Sequence, residues 1–175
     1  MSQLRAFPNR ELRICYWNAF GKVIDSDLMQ IEQNLRHLGE VKIEEVKSLD
    51  DSSLSPCDLL IVAAQQVSED DFSSWMTKFR GKIHKQGHVW TPALIFADVP
   101  FSILNDIWPE AVKENWYFDI LSPAHIESLP IRVANILRIH DHLHELHRYS
   151  ETLDELNTKV VKAEKEISNI KKSSK

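Results

Sequence analysis

Glycine is scarce in this sequence, with only four among its 175 residues. Neither GxGxxG nor GxxxxGK(S/T) occurs among them, and these are the loops with which many α/β enzymes cradle dinucleotides or nucleoside triphosphates. The sequence therefore predicts no nucleotide site. We expect neither enzyme activity nor a cofactor.

An excess of positive charge and a long apolar segment are also missing. The formal net charge is −5, which argues against a protein that binds nucleic acid by neutralising phosphates. No apolar run approaches the roughly 20 residues that span a bilayer, and the opening MSQLRAFPNREL lacks the pattern of a signal or transit peptide. We therefore expect a cytoplasmic protein that binds neither nucleic acid nor membranes.

The sequence contains only two cysteines, Cys15 and Cys57. Both lie in apolar, strand-like runs, and neither has a companion thiol at the spacing of metal ligands. This pattern predicts two buried thiols without disulfide or redox chemistry.

Four short apolar runs indicate buried β-strands in a chain long enough for one domain and an appendage. Apolar and polar residues do not alternate in these runs, as is typical of parallel strands covered on both faces. The runs are 12–17 (LRICYW), 58–64 (DLLIVAA), 93–97 (ALIFA) and 116–121 (WYFDIL). A fifth run, 41–46 (VKIEEV), does alternate, which favours a strand at the edge of the sheet.

The segments between the strands predict crossover helices. The first begins near Asp25 and Ser26 and ends before Gly39, a plausible stop. Its apolar residues recur at helical spacing and are Leu28, Ile31, Leu35 and Leu38.

The second helix begins at a capping-box pattern, Ser68 with Asp71, and carries one apolar stripe before Gly87. The stripe consists of Phe72, Trp75, Met76, Phe79 and Ile83. A less regular helix over 102–115 is interrupted or kinked by Pro109. The segment 47–57 is too short and too rich in turn-forming residues for a full helix.

Strands that alternate with crossover helices predict a doubly wound α/β fold with a mostly parallel sheet and helices on both faces. Sites in such folds lie beyond the carboxyl ends of the strands. The residues at those ends are Asn18, Ala19, Ala63, Ala64, Ala97, Asp98, Ser122 and Pro123.

The segment 119–138, DILSPAHIESLPIRVANILR, resembles the last strand, proline turn and last helix of the receiver domains of bacterial response regulators. The order of the other strands agrees with that family, so the resemblance covers about 11–139. It implies a flavodoxin-like, five-stranded parallel sheet. The domains expected are a tail (1–10), a receiver-like domain (11–138), a helix continuous with the last receiver helix (139–170) and a second tail (171–175).

The resemblance also implies a degenerate phosphorylation site. Aspartyl phosphorylation needs a carboxylate nucleophile, a divalent cation held by further carboxylates, a hydroxyl and a lysine. By alignment, Asn18 and Ala19 replace the metal-binding acids, Ala63 the acceptor aspartate, Ala97 the hydroxyl residue and Ser122 the lysine. A shift of one residue would recover a single group, such as Asp58 or Asp98, but not the set. We therefore expect no phosphorylation.

No residue breaks a helix from Leu129 to about Ile170, because Pro130 falls in the first turn. Some 40 residues at about 1.5 Å each would form a rod near 60 Å long, so we expect much of it to project. A projecting helix of this kind needs a partner, since isolated helices are only marginally stable in water.

Heptads along this helix predict a parallel coiled coil with a second copy of the chain. The first series is Ile139, Leu146, Leu153, Val160 and Ile167; the second is His142, Tyr149, Leu156, Ala163 and Ile170. An antiparallel coil and a different partner chain stay open as alternatives.

Histidines are concentrated at the start of the heptads. His140, His144 and His147 fall on one helical face, with Glu151 one turn further. Such a face binds zinc when a third ligand converges, but a solvated, pH-sensitive face is the interpretation that we favour. We predict no metal.

The sequence thus predicts a non-phosphorylatable pseudo-receiver that acts as a dimeric signalling or protein-interaction module. One alternative is the N-terminal regulatory and dimerisation segment of a longer protein with an output enzyme, such as a diguanylate cyclase or phosphatase. Another is a small-ligand sensor that uses the former phosphorylation pocket, with Trp17 and Phe20 at its rim. Aromatic residues in 108–116 are candidates for a partner-binding face, although core packing accounts for them equally well.

Overall fold

The computed structural model describes residues 7, 10–19, 25–49, 56–65, 67–85, 91–100, 102–105, 107 and 117–173. The strands are β1 (Glu11–Asn18), β2 (Glu40–Val46), β3 (Leu59–Ala63), β4 (Ala93–Phe96) and β5 (Phe118–Leu121). The helices are α1 (Asp25–Leu35), α2 (Glu69–Lys85) and α3 (Leu129–Ser173), and a 3-10 helix (Pro123–Ser128) precedes α3.

The five strands form one sheet in the order β2-β1-β3-β4-β5. Every neighbouring pair is parallel, so Ile14 of β1 lies opposite Ile43 of β2 on one side and Leu59 of β3 on the other. This is the flavodoxin-like order, which confirms the predicted fold class and is compatible with a receiver-like domain. The alternating strand β2 lies at the edge, as predicted.

The strands β3 and β4 are buried on both faces because their apolar runs supply a side chain to each face in turn, whereas β1 is buried on one face and exposes Glu11 and Arg13 on the other. On one face, Leu12, Ile61 and Leu94 pack with residues of α1 and of the first turns of α3. On the other face, alternate residues such as Leu60 and Ile95 pack with α2. The sheet therefore separates two apolar layers.

The helix α2 begins at the predicted capping box. The Ser68 hydroxyl donates a hydrogen bond to the Asp71 carboxylate at 2.6 Å, and the Asp71 backbone N–H donates to Ser68 Oγ at 3.3 Å. The predicted apolar stripe is also confirmed: Phe72, Met76, Phe79 and Ile83 are buried, and Trp75 packs against them.

Replacing Ser68 with alanine should lower the free energy of unfolding by about 1 kcal/mol, because the first turn of α2 loses its side-chain acceptor. Urea denaturation followed by circular dichroism measures the difference. Ser74→Ala, at an exposed position of the same helix, serves as the control and should not reduce stability. Equal losses in the two variants would contradict this role of Ser68.

Gly39 has a different role from the one that its position predicts. The helix α1 ends at Leu35, and a turn over 36–38 separates it from Gly39. A Cβ atom at position 39 would lie only 2.7 Å from the carbonyl oxygen of Phe7. The backbone N–H of Phe7 in turn donates to the Leu38 carbonyl oxygen at 2.7 Å. Gly39 thus makes room for a segment before β1 that we predicted as a tail.

The chain divides into two compact units, Met1–Leu137 and Arg138–Lys175. In the first unit, Leu129, Val133 and Leu137 of α3 are fully buried. In the second unit, the side chains from 142 to 169 are exposed. Among the helices that the structure describes, none combines the length and the apolar character needed to cross a membrane.

Three predicted features lie wholly or largely outside the described residues. Of the helix over 102–115, only 102–105 and 107 are described, and they are helical. The aromatic segment 108–116 and residues 50–55 of the segment 47–57 also lie outside them.

Candidate functional site

The strand-end residues singled out in the sequence lie together at the carboxyl edge of the sheet. Asn18 and Ala63 are the last residues of β1 and β3 and lie opposite each other. The Ala19 N–H donates to the Ala63 carbonyl oxygen at 3.1 Å, and the Ala97 N–H donates to the Leu121 carbonyl oxygen at 3.1 Å. Ser122 directly follows Leu121, so the five positions form one continuous edge.

This edge offers little chemistry. Ala63 and Ala97 are 2% and 3% exposed, and each presents only a methyl group where an aspartyl phosphorylation site needs a carboxylate and a hydroxyl. Asn18 contributes a neutral amide. These side chains supply neither a nucleophile nor the anionic oxygens that a hard divalent cation prefers.

Ser122 carries the one side-chain hydroxyl group among the five positions, and this hydroxyl is engaged in local hydrogen bonds. Its hydroxyl donates a hydrogen bond to the carboxylate of Asp98 and accepts one from the Ala124 N–H at 3.2 Å. Ser122 thereby caps the 3-10 helix that leads into α3. The position that the resemblance aligns with a lysine is thus a capping serine.

The two aspartates that a shifted alignment would recover lie at opposite edges of the sheet. Asp98 lies two residues after β4, at the carboxyl edge. Asp58 immediately precedes β3 and is therefore at the amino edge, where its carboxylate accepts hydrogen bonds from the Arg10 side chain and, at 2.8 Å, from the Arg13 N–H. Asp58 ties the segment before β1 to β3 and cannot serve a site at the carboxyl edge.

Trp17, which we placed at the rim of a ligand pocket, packs into the apolar layer beneath α2. Its ring stacks on Phe79, with centroids 5.8 Å apart and an interplanar angle of 7°. Phe79 stacks in turn on Trp75 at 5.2 Å and 4°. Trp17 thus extends an aromatic stack, while Phe20 lies outside the described residues.

The segment that resembles a receiver is held together by an ion pair between β5 and α3. Arg132 Nη1 donates to Asp119 Oδ2 at 2.7 Å, and Asp119 Oδ1 accepts from the Ile120 N–H at 2.8 Å. The pKa of the neighbouring Tyr117 is raised by burial and, to a smaller extent, by the charge of Asp119. We interpret these residues as structural, because their contacts hold α3 against β5.

The predicted seam residues of α3 are exposed in a single chain. Leu146, Leu153 and Leu156 are 64%, 60% and 51% exposed. Ile139, Tyr149, Val160 and Ile167 are also exposed large apolar side chains, and His142 and Ala163 are exposed as well. The side chain of Ile170 is not among those described. Such a row of apolar residues in water is typical of a surface that pairs with another helix.

The histidine face is arranged as the spacing predicts. The rings of His140 and His144 meet edge to face, 4.4 Å apart, and His147 Nε2 lies 3.3 Å from Glu151 Oε1. Over the described residues, no three or more His, Cys, Asp or Glu side chains come together in a group that could hold a metal ion.

Sequence reasoning missed the proximity of the two cysteines. Cys15 is buried in β1, Cys57 is half-buried just before β3, and the Cys57 thiol donates a hydrogen bond to Cys15. Both line a pocket with Ile14, Pro56 and three charged residues, Arg13, Lys42 and Glu44. The signal was absent from the sequence because the register of two parallel strands, not a short spacing, brings the thiols together.

The hydrogen bond shifts the pKa values of the two thiols in opposite directions. It lowers the pKa of Cys15, against the opposing effects of burial and of Glu44. It raises the pKa of Cys57 well above its usual range, and burial and the adjacent Cys15 raise it further. Cys15 therefore loses its proton first.

A comparison with known protein families gives no match for this chain, and a comparison with curated proteins gives none either.

Proposed function

We propose that this chain is a non-phosphorylatable pseudo-receiver that acts as a dimeric module for signalling or protein interaction. The observation that carries the proposal is the carboxyl edge of the sheet. In a sheet with the order β2-β1-β3-β4-β5, the end of β3 is the position from which a receiver aspartate would attack phosphorus, and here it is the methyl group of Ala63.

The neighbouring positions support the same interpretation. If a receiver domain lost only its acceptor aspartate and no longer bound a cation, the remaining metal-binding carboxylates would repel one another. This chain instead has Asn18 and Ala19 there, so the whole acidic cleft is replaced and the fold gains stability from the change. A module of this kind transmits a signal by what it binds, not by a phosphoryl group.

The second part of the proposal is that two copies pair in parallel along α3. The first heptad series is apolar throughout and the second mostly so, as a coiled-coil seam requires. The charges that flank the seam favour a parallel arrangement in register. Lys159 directly precedes the seam residue Val160, and Glu164 directly follows the seam residue Ala163. Parallel pairing brings Lys159 of one chain near Glu164 of the other. Both side chains are exposed and so are accessible to a partner helix.

The proposal predicts that acetyl phosphate and Mg²⁺ leave the chain unmodified. Intact mass spectrometry after incubation should show no added phosphoryl group, while a receiver domain with its acidic residues intact, treated in parallel, should acquire one. Light scattering of the treated and untreated chain should give the same molar mass.

Two variants sharpen this test. Ala63→Asp should remain unmodified, because a nucleophile without metal-binding acids cannot neutralise the phosphoryl charge. A phosphoryl group found on the natural chain would contradict the proposal. If Asp98→Asn then abolished the modification, Asp98 would be the acceptor and our alignment would be wrong.

A further inference from the structure

Among the described residues, the two cysteines form a cluster of nucleophilic side chains that the proposed function leaves unused. They are distant in sequence, but both line one pocket, and Cys57 packs against the apolar cluster that contains Cys15. Two thiols held this closely are placed to react with each other once one of them is oxidised.

We propose that Cys15 and Cys57 are a thiol oxidation site, at which a small hydroperoxide converts the pair into an intramolecular disulfide. The pocket that both cysteines line provides access to Cys15, which is only 2% exposed. Arg13, Lys42 and Glu44 give the pocket polar walls, which suit a small polar oxidant such as hydrogen peroxide. A bulky disulfide such as oxidised glutathione would not reach the buried sulfur.

The two sulfur atoms have different roles in this reaction. The thiolate of Cys15 attacks one oxygen of hydrogen peroxide, the O–O bond breaks, and the displaced hydroxide takes up a proton and leaves as water. Cys15 is then a sulfenic acid. The sulfur of Cys57 attacks Cys15 Sγ, the S–O bond breaks, and the leaving hydroxide takes the thiol proton of Cys57 as the second water. The thiols lose two electrons, and the peroxide gains them.

The distribution of protons between the thiols fits this order. The thiolate is the reactive form of cysteine, and the hydrogen bond lowers the pKa of Cys15. Cys57, which keeps its proton, is the resolving residue. Because neither cysteine belongs to the seam or to the carboxyl edge, oxidation of the pair is independent of the proposed function.

The test treats the reduced, folded chain with hydrogen peroxide, removes the peroxide with catalase, and then adds dimedone, which traps sulfenic acids, in urea so that it reaches the buried sulfur. In Cys57→Ser, dimedone should label Cys15. In the natural chain this label should be at least about tenfold weaker, because a neighbouring nucleophile outcompetes one in solution. The natural chain should instead lose two hydrogen atoms in mass, resist alkylation and remain a single chain on a non-reducing gel.

A second measurement uses only the natural chain, so that its result does not depend on whether Cys57→Ser folds. Folded chain should give the intramolecular disulfide, whereas chain in urea should give more dimedone adduct and cross-linked chains. Three results would overturn the inference: equal dimedone labelling in the natural chain and Cys57→Ser, disulfides only between chains, or no reaction of Cys15 in any folded sample.

Discussion

Glutamate at Val160 should weaken self-association at least about 100-fold, whereas glutamate at the adjacent Val161 should leave it unchanged. The two valines are 54% and 49% exposed in a single chain, so neither composition nor exposure distinguishes them. Only the heptad register does, because it places Val160 in the seam and Val161 outside it.

The magnitude follows from burial. Burying one valine side chain contributes about 1.5 kcal/mol, and a dimer contains two copies of Val160, which together make about 3 kcal/mol. Since a tenfold change in Kd corresponds to about 1.4 kcal/mol, their loss raises the Kd about 100-fold. The unpaired carboxylates in the seam add to this effect.

Sedimentation equilibrium over a range of concentrations measures these dissociation constants. Combining Val160→Glu with Leu153→Glu should leave only monomer, and circular dichroism should then show a loss of helix, because an unpaired helix of this length is marginally stable. A natural chain that is monomeric, or equal effects at the two valines, would mean that the seam is not the interface.

Removing the ring of Phe79 should lower the free energy of unfolding by about 3–5 kcal/mol. Phe79 is only 2% exposed, and its ring is stacked between Trp17 of β1 and Trp75 of α2. Phe79→Ala would leave a cavity between two large rings that the rigid sheet and helix cannot close.

Urea denaturation monitored by tryptophan fluorescence measures this loss, and two of the five tryptophans that give the signal, Trp17 and Trp75, belong to the stack. Phe79→Leu preserves much of the volume and should lose less than half as much as Phe79→Ala. Lys78→Ala, on the exposed side of the same helix, should change stability by no more than about 0.5 kcal/mol. A loss below about 1 kcal/mol for Phe79→Ala would contradict the central place that we give to this ring.

Patterns confined to one segment predicted the fold well. Uninterrupted apolar runs identified the strands because a strand covered on both faces needs apolar side chains in both directions. The charged residues of β2 identified its edge position, and Ser68 with Asp71 identified the start of α2, since a cap requires only residues within one turn. The order of the strands followed from the alternation of strands and helices and from the resemblance of 119–138 to receiver domains.

Features that depend on contacts between distant segments could not be predicted in this way. The contact of Cys57 with Cys15 depends on the register of β1 against β3 and on the bend before β3. The close approach of Phe7 to Gly39 and the pairing of Arg10 with Asp58 depend on the path of the chain before β1. At the candidate site, the sequence predicted which residues lie together at the carboxyl edge, but it did not indicate that Ser122 caps a 3-10 helix.

The strand order also bears on how the chain is synthesised. After β2 pairs with β1, β3 joins the other side of β1, and β4 and β5 each join the strand made just before them. A nascent chain that has emerged as far as β3 therefore exposes an unpaired edge with the sequence LLIVA, which is apolar and uncharged. Edges of this kind promote aggregation. The interval between the emergence of β3 and that of β4 is thus the stage of translation at which we expect the chain to depend most on a chaperone.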